Sequence, residues 1–317
     1  MIAVTCACAD AAQNPDPPAC AVKKIRVTRC AKNPLITAVS SKSIGHNING
    51  PSVIRAPQWL DKPLGTFYMY FAHHGGKHIR LAHADDLAGP WTVHEPGTLK
   101  LEEAKGVIKG HVASPDVHLD NKAKTIWMYF HGPGRRVGRQ ITGVATSKDG
   151  LTFTAEPQMI ADFYFRRFRW KGTWYALAKS GNKGGQLLRS DDPRAQFKVR
   201  KKQLIPGMRH AAVMVRGDTL LVFYSRGGDC PERILLSTVR MTDDWNKWEL
   251  SKPIDVLKPE KDYEGIRYPL KPSRWGSAVK VHQLRDPCIF EDAGKLYLFY
   301  SVAGEMAIAM AEVEVKL

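Results

Sequence analysis

The sequence predicts an all-β protein: a five-bladed β-propeller with four antiparallel strands per blade and a last blade closed by an N-terminal strand. Three observations predict it. A period-2 hairpin signal recurs five times, each early hairpin is followed by a third strand and an acidic turn, and the final unit ends one strand short.

The first hairpin reads "NGPSVIRAPQWLDKPLGTFYMYFAHHGG" from Asn49 to Gly76, and the second "ASPDVHLDNKAKTIWMYFHGPG" from Ala113 to Gly134. The third, "FYFRRFRWKGTWYALAKSG" from Phe163 to Gly181, interleaves arginines with aromatics. The fourth runs from Arg209 to Gly228 and the fifth, "RDPCIFEDAGKLYLFYSVAG", from Arg285 to Gly304. Third strands and acidic turns follow in "IRLAHADDLAGPW", "TGVATSKDGLTF", "QLLRSDDPRAQF" and "ILLSTVRMTDDWNKW". After the last hairpin the chain stops at "MAIAMAEVEVKL", a third strand without a fourth. The segment "KKIRVTRCAKNPLIT" (Lys23 to Thr37) supplies the missing strand, which closes the ring and leaves few exposed edges.

The domain boundaries follow: residues 1–22 form an N-terminal tail or residual export segment, and 23–317 a single propeller. The tail "MIAVTCACADAAQ" has a short apolar core and small residues but no basic n-region. Four of the six cysteines lie at Cys6, Cys8, Cys20 and Cys30, with Cys230 and Cys288 further on, in no zinc-ligand spacing. A periplasmic or secreted location, with one disulfide in the N-terminal segment, is the expectation. No apolar run approaches the roughly 18 residues needed to cross a bilayer. Forty-seven Lys and Arg against 31 Asp and Glu give a net charge of +16, which favours anionic partners. No nucleic-acid motif accompanies that charge, and neither nucleic acid nor membrane is expected as a partner.

Propeller geometry places the site. The residues that open each first strand and the loops between second and third strands share one face around the axis. That ring holds His46, Asn47 and Asn49 in the first blade, and His111, Ser114 and Asp116 in the second. It continues with Tyr164 and Arg166, Arg209 and His210, and His282, Arg285 and Asp286. The loops add His73, His74, His131, Lys179, Arg226, Asp229 and Glu305. His46, His111, His210 and His282 take equivalent positions in four blades, and a divalent ion held by the histidine ring is allowed, although no cofactor is required. A long insertion between blades four and five places Glu264 on a loop over the site. Trp59, Trp170 and Trp275 are candidates for stacking on a bound substrate, with core packing the simpler role for the first two.

The strand-opening "RDP" and the acidic "S-x-D-G" turn at Ser147–Gly150 resemble the five-bladed glycoside hydrolases of families 43, 32 and 117. "NINGPSVI", "HVASPDVHLD", "MRHAAV" and "QLRDPCIFEDAGKLYLFYSVAGE" are similar to an uncharacterised family-43-like bacterial group, over roughly Gly45 to Leu317. The resemblance implies hydrolysis of a glycosidic bond by carboxylates in the central cavity. It also has gaps. The first-blade position of the family-43 base reads Asn49–Gly50–Pro51, and the third blade opens without the family's acidic Glu. Asp116 and Asp286 stand where related propellers carry carboxylates, and the histidine acid of family 117 would suit His210 or His282.

The expected function is an inverting, exo-acting glycosidase on a poly- or oligosaccharide, an acidic one fitting the charge. Asp116 or Asp286 would be the base, and Glu264 or a protonated histidine the acid. His46, Asn47, Asn49, His73, His74, His111, Tyr164, Arg166, Arg209, His282 and Arg285 would bind substrate. One alternative is a uronate lyase built on Tyr164, His210 and Arg209; another is a glycan-binding propeller without turnover. The oligomeric state is not encoded in any pattern.

Overall fold

The computed structural model describes residues 21–181, 183–272 and 279–317. They form the five-bladed propeller. Blade 1 consists of Asn49–Arg55, Phe67–Ala72, Arg80–Ala84 and Thr92–His94; blade 2 of Ala113–Asp120, Thr125–Pro133, Gln140–Ser147 and Thr154–Ala155. Blade 3 is Arg166–Trp170, Thr173–Lys179, Gly184–Ser190 and Lys198–Val199; blade 4 is Met208–Arg216, Thr219–Arg226, Ile234–Arg240 and Ile254–Leu257. Blade 5 is Leu284–Asp292, Lys295–Val302 and Ala307–Lys316, completed by Lys24–Arg29, which pairs antiparallel from Lys24↔Lys316 to Arg29↔Ala311. Trp275, Cys6, Cys8 and Cys20 lie outside the described residues; Cys30, Cys230 and Cys288 are free thiols.

Inner strands read as continuous apolar runs because both faces of a blade are covered by neighbours. Phe67–Ala72 is buried at every position. Its Tyr68 and Tyr70 pack towards blade 2, while Phe67, Met69 and Phe71 pack towards blade 5. Five hydrophobic clusters result, one at each junction between neighbouring blades. The closing strand, on the outer edge, alternates exposed and half-buried residues instead. Its charged side chains suit an edge.

A repeated backbone feature builds the mouth. The first strands of blades 1, 2, 4 and 5 each slip register by one residue, between Asn49 and Ser52, Ala113 and Asp116, Met208 and His210, and Arg285 and Cys288. Gly50, Ser114 and Asp286 occupy the left-handed region in these slips, with φ of 60°, 47° and 47°, and Tyr164, just before the unslipped first strand of blade 3, does so with φ of 56°. Three of these four are not glycine, and such backbone costs on the order of 1–3 kcal/mol each where it persists. The bulge aims these side chains into the mouth ring, with Arg209 at the matching position of blade 4.

Two residues deeper the strands tie blade to blade. The Val117 N–H donates to Ser52 Oγ (2.9 Å) and the Arg167 N–H to Asp116 Oδ2 (2.9 Å). Arg166 lies at this level and bridges the axis, donating to the carbonyls of Ala211 (3.0 Å), Pro115 (3.3 Å) and Phe165 (3.0 Å).

Candidate functional site

The mouth collects a dense set of ionisable groups. Arg285, buried completely, lies 3.3 Å from Glu232 and 3.0 Å from Glu305. Glu232 also lies 3.4 Å from Arg209 and accepts the Ser225 hydroxyl at 2.7 Å. Glu305 accepts from Asn47 (2.9 Å) and Asn49 (3.0 Å), and its Oε2 stands 3.6 Å from His74 Nδ1. These bonds lock blades 4, 5 and 1 together. Burial pushes Glu232 up, against the pull of Arg209 and Arg285. Glu305 is pulled down, burial being outweighed by His74 and Arg285.

Asp286 differs from both. It is 3% exposed, and Oδ1 stands 3.0 Å from His210 Nδ1. Its Oδ2 is buried and has no hydrogen-bond partner among the described residues. Burial alone would raise this carboxyl, but His210, Arg285 and Arg209 outweigh it and hold it well below the usual carboxylate range. Burial drives the His210 imidazole down to about 4, so it is neutral near pH 7. The carboxylate is thus ionised at neutral pH with one oxygen open to a water, the protonation state a general base needs, although the depressed pKa lowers its basicity.

Aromatic rings form one wall. Tyr164 lies with its ring centroid 4.6 Å from His131 on one side and 4.6 Å from His210 on the other. Lys179 Nζ sits 5.3 Å from the Tyr164 centroid, and burial lowers it to about 8. Burial and the nearby Asp286 and Glu305 keep the Tyr164 phenol neutral, with its pKa raised. His111 stands 6.2 Å from His131 and is half-buried. His74 is the reachable proton donor, its side chain 46% exposed and its pKa raised by Glu305.

The ring of expected residues is thus partly assembled. Asp286, His210, Tyr164, Arg209, Arg285, Asn47, Asn49 and His74 converge. His46 and His73 pair edge-on (5.9 Å) at the outer rim, with His46 exposed. Four expectations are corrected. Glu264 is no loop acid over the site. It is fully buried outside the mouth, where it accepts from Arg29 (2.8 and 3.1 Å), Tyr300 (3.0 Å) and the N–H groups of Glu260 (2.7 Å) and Lys261 (3.1 Å). Asp116 lies beneath the mouth ring, bonded to His118 Nε2 at 2.7 Å, and lines a separate cavity of about 300 Å³ with Ser52, Arg166 and Cys288. Arg166 is spent on backbone carbonyls. The four histidines do not share a level: His282 is turned to the Pro259 carbonyl (3.4 Å), while His210 is buried beside Asp286.

Trp59 and Trp170 lie on the far side, bonded to Asn121 and Asp218. Glu232 was missed, because a carboxylate in the "GGDCPER" loop carries no pattern that aims it inward. Among the described residues, no three His, Cys, Asp or Glu side chains group to hold a metal ion.

Comparison with known proteins extends this picture. No family model matches the chain. The uncharacterised protein R118 of Acanthamoeba polyphaga mimivirus is 38% identical over 302 residues, covering 84% of this chain and 83% of the viral protein. The chain belongs to the family of R118. Solved structures share its fold. A putative glycoside hydrolase from Parabacteroides distasonis superposes with a TM-score of 0.64 at 13% identity, covering 92% of this chain and 97% of that one. CoXyl43, a GH43 β-xylosidase/α-arabinofuranosidase from a compost metagenome, gives 0.60 at 15% identity, over 92% and 95%. A putative glycoside hydrolase from Bacteroides ovatus gives 0.62 at 13%, over 90% and 96%. The R118-family chain therefore has the five-bladed fold of glycoside hydrolases.

Proposed function

We propose that this protein hydrolyses a glycosidic bond at the mouth of the propeller, with Asp286 as general base and His74 as general acid. The observation that carries the reading is the Asp286 carboxylate, ionised, buried and under-bonded in a ring of cations. Asp286 Oδ2 accepts a proton from water as its oxygen attacks the anomeric carbon. The bond to the leaving oxygen breaks as His74, oriented through Nδ1 by Glu305, delivers a proton to it. Direct attack by water gives inversion. Arg285 and Arg209 keep Asp286 charged, and His210, neutral near pH 7, is a positioning residue beside it.

The test is turnover of a panel of oligosaccharides by wild type and Asp286→Asn, with the anomer of the first product read by proton NMR. The expected result is a loss of roughly 10³-fold or more in kcat with ligand affinity retained, and an inverted product. Undiminished turnover by Asp286→Asn would overturn the assignment. A second reading, elimination from a uronate, is favoured by one observation: Tyr164 packs against His210 (4.6 Å between ring centroids) with Arg209 close enough to act on its phenol. An unsaturated product absorbing in the near ultraviolet would select it.

A further inference from the structure

The positive charge is not spread evenly. Among the described residues, the segments joining strands on the mouth side carry nineteen Lys and Arg against eleven Asp and Glu. Those on the far side carry eight against ten. The excess belongs to the face that holds the site.

On that face, three segments of blades 1 and 2 are braided into one shelf. The Leu101 N–H donates to the Lys77 carbonyl (2.8 Å), the Lys109 N–H to the Pro133 carbonyl (2.8 Å), and the Arg135 N–H to the Val107 carbonyl (2.9 Å). Lys77, Lys100, Lys105, Lys109, Arg135 and Arg136 are all exposed on it. Two of them are steered by backbone: Lys77 donates to the Gly110 carbonyl and Arg135 to the Lys105 carbonyl (2.9 Å). None of the six forms a salt bridge among the described residues. Some surface cations elsewhere are matched, as in Arg55–Asp292, Arg216–Glu291, Lys202–Glu249 and Lys295–Glu312, and others, such as Lys122 and Lys198, stand singly; the shelf differs in gathering six on adjoining segments. Glu102 and Glu103 are exposed between Lys100 and Lys105, so the six cations leave the shelf net positive rather than purely basic, and an anion laid across it relieves their remaining repulsion.

The shelf also leads inward. His111 follows Lys109 and Gly110, and His74 precedes Lys77 by three residues, so its inner border is the rim of the catalytic mouth. We propose that the shelf binds the polymer portion of an anionic polysaccharide, carrying carboxylate or sulfate groups, and feeds its end to Asp286. This rests on the glycosidase reading for the cleavage step alone; binding to the shelf is independent of it. Polymer recognition by exposed lysines and arginines acts through the field, screens within a Debye length of ~8 Å at physiological salt, and changes association more than chemistry.

The experiment measures binding of the full chain to polygalacturonate, λ-carrageenan and neutral arabinan at several salt concentrations, with wild type and the triple variant Lys105→Glu/Arg135→Glu/Arg136→Glu. The expected result is salt-sensitive binding to an anionic polymer, little to arabinan, and a weakening of roughly tenfold or more in a triple variant whose melting temperature is unchanged. The tighter of the two polyanions tells carboxylate from sulfate. Equal binding to arabinan, or an unaltered affinity in the folded triple variant, overturns the proposal. So does duplex DNA displacing both polysaccharides at equal charge. Should wild type bind polyanion on the shelf and release no sugar, hydrolysis falls while the shelf stands.

Discussion

Asp286 and Glu264 are both buried carboxylates, and the number of donors around each separates their roles. Glu264 has five, and they tie the long inter-blade segment to Arg29 of the closing strand and to Tyr300. Glu264→Ala leaves Arg29 without its main partner. It is expected to cost roughly 3–5 kcal/mol, read as a fall in denaturant midpoint, with kcat of the folded fraction intact. At His74 the prediction concerns pH. Glu305 raises its pKa above the ordinary value of about 6.5, so the acid form is present below the raised value and lost as pH climbs through it. The alkaline limb of the kcat profile is expected there, and His74→Gln should flatten it. Asp286 carries the opposite sign. Its depressed pKa stabilises the fold above the unfolded value of about 3.9, and that stability is lost as pH falls through the folded value. Acid titration of Asp286→Asn by circular dichroism, with a shallower loss than wild type, checks it.

Strands were readable because their burial is two-sided and local. Phe67–Ala72 and Thr219–Arg226 announce themselves as apolar runs, and the polar residues that follow them, with those that open the first strands, mark the mouth. Asp286, His210, Tyr164 and Arg209 were legible for the same reason. What stayed hidden depends on a residue's level or on a distant partner. Relative to the same bulge, Asp116 takes the position of Cys288, two residues deeper than Asp286, because it follows its proline where Asp286 precedes its own. Glu264 is claimed by Arg29, 235 positions away. At the element scale the bulge itself can be tested. Ser114 at φ 47° is expected to accept glycine with little loss or a slight gain, as left-handed backbone favours it, whereas proline there cannot adopt a positive φ and should unfold blade 2. Thermal melts of Ser114→Gly and Ser114→Pro distinguish the two.

The whole molecule is held by closure. Lys24–Arg29 pairs along its full length with Ala307–Lys316, burying flanks of Ile25 and Val27 against the cluster between blades 4 and 5. Removing residues 1–29 takes away this strand and the Arg29–Glu264 pair together. It should cost cooperative unfolding, seen as a broadened melt, because the edge of Ala307–Lys316 is laid open.

The left-handed opening of the first strands carries a consequence for how such a site can change. Gly50, Ser114, Tyr164 and Asp286 present the same socket to one axis, and each socket accepts a side chain; a Cβ built on Gly50 meets nothing nearer than Ser114 Cα at 3.5 Å. A reactive group can therefore travel around the ring by point substitution, without rebuilding any blade. The family-43 resemblance puts its base in the first socket, while this chain keeps glycine there and its under-bonded carboxylate in the fifth. A pseudo-fivefold scaffold thus behaves like a dial, offering the same backbone setting to a carboxylate at equivalent positions of different blades.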